Sequence, residues 1–157
     1  MKNINLKDFR NIDDVLASKN NHDYMDIKDF DYITPDFLES HLAHITIQAD
    51  KLVLNSGATD MLKLVPGTKV ALLVNMKSQI LLICKTPDKN GKNIEINKDD
   101  NNTTVESEDI ATLLTELIND DSHDKFTVKM QKTSWIKQND KPNKVLVFDL
   151  HKAEAVD

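Results

Sequence analysis

Three short runs of this chain are apolar at every position: Val70-Ala71-Leu72-Leu73-Val74, Ile80-Leu81-Leu82-Ile83-Cys84 and Val145-Leu146-Val147-Phe148. Their shortness and their branched side chains suit strands better than helices. A strand with one face in water alternates polar and apolar residues. A strand that does not alternate is covered on both faces. This constrains the fold more than any other feature, because a chain of 157 residues has few helices with which to cover a sheet twice. Either helices cover both faces, or a second copy of the chain covers one; the second arrangement predicts a homodimer.

The first two runs close a block, Ile45 to Thr86, that reads as β-β-α-β-β. Ile45–Gln48 and Leu52–Asn55 are strands joined by the tight turn Ala49-Asp50-Lys51. Asn55 and Ser56 offer caps for a helix over 56–64, which Gly57 weakens. Pro66-Gly67 is a turn, and Lys69–Met76 and Gln79–Lys85 are the next two strands. Upstream, Thr34-Pro35-Asp36 supplies a capping hydroxyl, a proline at the first helical position and an acid facing the helix dipole, so a helix runs over 35–43. Downstream, Asn90-Gly91 has hairpin chemistry and predicts a turn into a strand at Asn93–Asn97, followed by a polar loop at Asp99–Thr104. Ser107 caps a helix over 108–119, in which Ile110, Leu113, Leu114, Leu117 and Ile118 recur on one face. Phe126–Ser134 is a strand, Asn139–Asn143 around Pro142 a turn, and the tail from Leu150 one helical turn. The pattern predicts a single α+β domain over 34–157: a mainly antiparallel sheet of five to seven strands with three or four short helices. Residues 1–33 form a polar arm, in which the spacing of Leu6, Phe9, Ile12 and Leu16 predicts one short helix.

Charge and composition narrow the function. The net charge is −6, and Arg10 is the one arginine among 20 basic residues. Nucleic-acid binding depends on neutralising phosphates, and arginine supplies the fork that reads guanine, so this balance disfavours it. A single cysteine, Cys84, excludes an intrachain disulfide and suits a reducing compartment. No run reaches the ~20 apolar residues of a membrane span, and the N-terminus has no apolar signal region. The expectation is a cytoplasmic protein with no membrane segment.

No grouping of residues carries a catalytic signature. The three glycines, Gly57, Gly67 and Gly91, are scattered at turns and helix ends and build no phosphate-cradling loop. His41 and His44 lie three apart near Glu39, a spacing that can share a metal, but no third ligand is recognisable. Asp120, Asp121, His123 and Asp124 crowd one loop without the register of a calcium site. Cys84 sits in an apolar strand, where burial raises a thiol's pKa and makes it a poor nucleophile. The basic density is local: Lys125, Lys129, Lys132, Lys137, Lys141 and Lys144 share one strand-and-turn region beside Trp135. Simple strand alternation places Lys125 and Lys129 on one face and Lys132 on the other. Lys51, Lys125, Lys129, Lys132, Trp135 and Lys137 are therefore the candidate contacts for a protein partner or a nucleic acid. No residue is assigned to catalysis, a cofactor or a metal.

Residues 52–83, with Leu64, Pro66, Gly67 and Val70 in place, resemble the AbrB-type swapped-hairpin pattern: strand, short helix, leucine-x-proline-glycine turn, two strands. That resemblance implies an interlocked homodimer that binds DNA. Asn55 stands where the pattern prefers proline, and Thr59 where it carries a helix arginine. The segments at Ile45, at VALLV and at VLVFDLHKAEAV (Val145–Val156) are similar to small bacterial proteins without an assigned activity. The residues predict a non-enzymatic binding module that self-associates, and the resemblances imply a bacterial one, with an AbrB-like DNA-binding regulator as the alternative.

Overall fold

The computed structural model describes residues 24–156, and the chain divides into two units between Tyr32 and Ile33. The expected helix over Leu6 to Leu16 lies outside the described residues. In the first unit, the side chain of Asp26 accepts the Lys28 N–H at 3.1 Å and starts a single 3-10 turn, Ile27–Asp29.

The second unit is α+β. Its helices are α1 (Pro35–His41), α2 (Ser56–Met61) and α3 (Glu108–Ile118). Its strands are β1 (His44–Ile47), β2 (Lys51–Leu54), β3 (Lys69–Asn75), β4 (Ile80–Thr86), β5 (Lys92–Asn93), β6 (Glu95–Ile96), β7 (Thr103–Glu106), β8 (Phe126–Gln138), β9 (Lys141–Asp149) and β10 (Glu154–Ala155). A 3-10 turn, Leu150–Lys152, separates the last two. The helices begin where capping chemistry places them. Thr34 Oγ1 accepts the Phe37 N–H, Asn55 Oδ1 the Ala58 N–H and Ser107 Oγ the Ile110 N–H. α3 ends at Asn119, which takes the left-handed conformation (φ 61°) that asparagine tolerates. α2 is shorter than its sequence predicts, because Lys63 adopts φ 54° and stops it.

The sheet has ten strands rather than five to seven, all paired antiparallel, in the order β5-β3-β4-β9-β8-β1-β2-β7-β6, with β10 on β8. The additional strands are short or polar. Thr103–Glu106, at the end of the expected loop, is β7, and the expected strand at Asn93–Asn97 divides into β5 and β6. These two end strands are separated only by Ile94, so the sheet curls back on itself and nearly closes as a barrel. Asn90-Gly91 does not form a hairpin: β5 pairs with β3, not with β4. The turn expected around Pro142 falls earlier, at Asn139-Asp140. Both residues have positive φ (53° and 64°), the conformation of a two-residue hairpin loop.

The main core lies inside the curl. Ile45, Ile47, Leu52, Leu54, Val105 and Val128 meet Val70, Leu81, Ile83, Leu146 and Phe148 there, beneath Ala58 of α2 and Leu114 of α3. Leu113, expected on the buried face of α3, stands at its margin and is exposed.

Candidate functional site

The strand residues that point away from this core form a groove of about 1000 Å³. Its floor follows from the register. Val53 lies opposite Thr46, Thr46 opposite Thr127, and Thr127 opposite Glu154, in one row across β2, β1, β8 and β10. A second row pairs His44 with Lys129. α1 forms one wall with Leu38 and Glu39, continued by Leu42 at its C-terminal cap, and Lys125 and Gln48 stand at the opposite end. The surface is thus threonine and valine underfoot, two exposed leucines at one side, and lysines and glutamates around it. Among the described residues, none of Glu39, Lys125, Lys129 and Glu154 forms an ion pair.

The wall is fixed by one residue. Asn55 is buried, and its Oδ1 accepts both the Ala58 N–H and the His44 N–H (3.1 and 2.9 Å). Its Nδ2 donates toward the carbonyls of Leu42 (2.7 Å), Ser40 (3.1 Å) and Glu39 (3.3 Å). One side chain therefore ties the end of α1 to the start of β1 and of α2. Gly57 completes the joint. A Cβ there would lie 2.0 Å from the His41 carbonyl oxygen, so the backbones of α1 and α2 touch where only glycine fits. Behind it, Thr59 donates to the Asn55 carbonyl (2.9 Å), and its oxygen accepts from Thr103 (2.7 Å) within the core.

The candidate contacts separate. Lys125 and Lys129 line the groove. A β-bulge between Met130 and Lys132 shifts the alternation by one residue, because Met130 pairs with Phe148 and Lys132 with Val147. Lys132 therefore shares the outer face with Lys129, which corrects the expectation of opposite faces. Lys51, opposite Glu106 on β2, lies on that outer face too. Trp135 and Lys137 fall on the other face of β8, toward the hairpin tip, and Trp135 is 65% exposed.

The histidines are held by local bonds. His41 Nδ1 lies 2.9 Å from the Phe37 carbonyl, which can only accept, so this nitrogen carries the proton. It cannot act as a base toward Ser40 Oγ, 2.8 Å away, and the ring stacks on Phe37 at 4.1 Å. His44 Nδ1 likewise faces the Leu42 carbonyl at 3.3 Å, leaving Nε2 as the acceptor of the neutral ring. In the loop after α3, Asp120 accepts from the Ser122 hydroxyl (2.7 Å) and backbone (2.9 Å), and His123 Nδ1 lies 3.1 Å from its other oxygen. The Ser122 hydroxyl bond is the main cause that lowers the Asp120 pKa below the usual carboxylate range. Ser122 thus spends its proton on the carboxylate, which gives a turn rather than a nucleophile–base pair. Among the described residues, no three His, Cys, Asp or Glu side chains gather as metal ligands.

A second apolar cluster occupies the opposite face of β3, β4 and β9. Cys84, Val145 and Val147 are buried there, packed by Ala71, Ile80, Leu82 and Ile136. Burial pushes the Cys84 thiol up, against a smaller opposing effect from a hydrogen bond with the Ala71 backbone. The helices make their main contacts elsewhere: α1 on α2, α2 on β1 and β2, and α3 on β1, β2 and the 150–152 turn. This cluster was legible as non-alternating runs. The groove was not, because it depends on which strands become neighbours. No helix among the described residues is long and apolar enough to cross a membrane. No family model matches the chain, and neither the curated proteins nor the solved structures hold a match to it.

Proposed function

We propose that this chain is a non-enzymatic binding module that self-associates. The observation that carries the reading is the rim of the second apolar cluster, where Val147 on β9 is buried, Leu82 on β4 half-buried and Leu73 on β3 exposed, and over which none of the three helices makes a main contact. Apolar sheet faces are ordinarily covered, and a second copy of the chain supplies cover without another gene product. The groove gives the module its contact surface for a different partner. Its charges are mixed in sign and unpaired among the described residues, as suits docking of a polar, uncharged-overall segment rather than a polyanion. Light scattering across a dilution series tests self-association: a mass of two chains that persists on dilution supports it, and one chain at every concentration refutes it. Charge reversal at Lys125 and Lys129 should weaken capture of a groove partner and leave the mass unchanged.

One observation favours a nucleic-acid reading. The bulge sets Lys132 on the face that Lys125 and Lys129 share, and Lys51 adds a fourth lysine to that outer face. Against it, Glu39 and Glu154 stand in the same groove, and Thr59, at the position of the AbrB-type arginine, is buried and bonded to Thr103. A DNA-binding regulator would lose affinity for mixed-sequence duplex with a slope of about −0.9 per phosphate contact in log salt. Absence of binding at low salt removes that reading.

A further inference from the structure

We infer that two copies of this chain join edge to edge along β3, antiparallel and centred on Leu73. The inference rests on the self-associating reading and adds the interface. β3 pairs with β4 along its whole length, but with β5 only at Lys69 and Val70. Among the described residues the other edge of Ala71-Leu72-Leu73-Val74-Asn75 is therefore open. An open edge presents a row of unpaired N–H and C=O groups, and chains guard such edges with charges, proline, bulges or a covering element. This edge carries none of the first three, and Leu73 is 38% exposed.

The open stretch suits a second copy of itself. β5 occupies its first end. At its other end Asn75 Oδ1 accepts the N–H groups of Lys77 and Ser78, both at 3.0 Å, and turns the chain toward β4. Among the described residues the same length is thus open in both copies, with the same bounds. Antiparallel pairing about Leu73 sets Ala71 opposite Asn75, Leu72 opposite Val74, and Leu73 opposite its own counterpart, so no two charges meet. Leu73 lies opposite Leu82, and Leu82 opposite Val147. Joining the edges runs that row into its mirror, and the second apolar cluster becomes continuous across both copies. A hollow of about 330 Å³, lined by Leu73, Val74, Ile80 and Leu82, lies at the joint and receives the leucine of the other copy. The arrangement is two-fold and uses one edge from each chain, so it closes at a dimer.

The test uses the full chain. Leu73→Lys places like charges opposite each other at the axis and removes two leucines from the joint. Its dissociation constant should rise roughly 100-fold by sedimentation, with an unchanged far-ultraviolet spectrum. In a Cys84→Ala background, Leu73→Cys should form a disulfide-linked dimer on mild oxidation, because directly opposed strand residues lie within disulfide reach. Met76→Cys, exposed but past the strand end, should not. A wild-type chain that is monomeric at every concentration overturns both the inference and the reading beneath it. A dimer that survives Leu73→Lys and gives no Leu73→Cys link overturns the β3 joint alone and leaves self-association standing.

Discussion

Replacing Asn55 by alanine should cost about 3 kcal/mol of folding stability, and the figure follows from what its side chain holds. Loss of the helix cap on Ala58 accounts for about 1 kcal/mol. The bond accepted from the His44 N–H is worth about 1 kcal/mol more. Nδ2 has two protons for three carbonyls, so its contribution is two bonds, those to Leu42 and Ser40, at about 1 kcal/mol each. The sum of about 4 falls to about 3 because Leu42 is 62% exposed and its carbonyl regains water. For a domain of this size that is a drop of roughly 6–12 °C in Tm, and a lower urea midpoint at unchanged slope. Asn55→Asp is the decisive companion. Aspartate caps helices as well as asparagine does, but it has no N–H to give and turns a second oxygen toward three carbonyls. If Asn55 were only a cap, the aspartate variant would keep nearly wild-type stability. If the tie between α1 and β1 matters, it unfolds as easily as the alanine variant. A wild-type urea midpoint for Asn55→Asp refutes the reasoning.

Gly57→Ala gains about 1 kcal/mol of helix propensity, yet its Cβ would meet backbone atoms of His41 at 2.0 and 2.6 Å, so a net loss of about 2 kcal/mol is expected in urea denaturation. Cys84 should resist a thiol reagent at pH 8 in the folded chain and react once in urea, since burial raises its pKa and closes access. Asp149 is held below the ordinary carboxylate range, chiefly by the His151 N–H that it caps. A lowered folded pKa gives stability that is present above the unfolded value and lost as pH falls through the folded one. Asp149→Asn should therefore be less stable than wild type at neutral pH, with the difference shrinking below about pH 4, as a pH series of urea midpoints would show.

Local chemistry was legible in the sequence, and pairing was not. Thr34, Asn55 and Ser107 cap their helices as their residue types predict, and Asn119 ends α3. Each signal acts within a few residues. The two-residue strands β5, β6 and β10 carry no pattern, because they exist only where another strand offers its edge. Asn139-Asp140 did carry the signal of a two-residue hairpin loop, but Pro142 drew the turn toward itself; Pro142 instead pairs with Lys137 inside the hairpin. The lysines show the same limit. Strand alternation predicts faces correctly until a bulge inserts one residue, and nothing around Gln131 announces the bulge. Asn55 and Gly57 were legible as a cap and a weak helix residue; their grip on α1 is a tertiary fact.

The non-alternating strands posed a choice between helices on both faces and a second copy on one. The curl of the sheet resolves the inner face: β3, β4 and β9 turn Val70, Leu81, Ile83, Leu146 and Phe148 inward to the common core. On the outer face cover thins along one row of opposed residues. Val147 on β9 is buried, Leu82 on β4 is half-buried, and Leu73 on β3 is exposed. A face meant for water would be polar at its rim, whereas this one stays apolar as far as β3, whose edge beyond Val70 is unpaired among the described residues. Among the described residues the deficit of cover and the deficit of hydrogen bonds thus coincide on Ala71–Asn75, and one contact that pairs the edge removes both. Amide hydrogen exchange reads that coincidence directly. The outward N–H groups of residues 71–75 should gain protection as protein concentration rises, while those of β1 and β8 stay constant. Exchange at β3 that is fast and independent of concentration would mean that the edge faces water in every state of the chain.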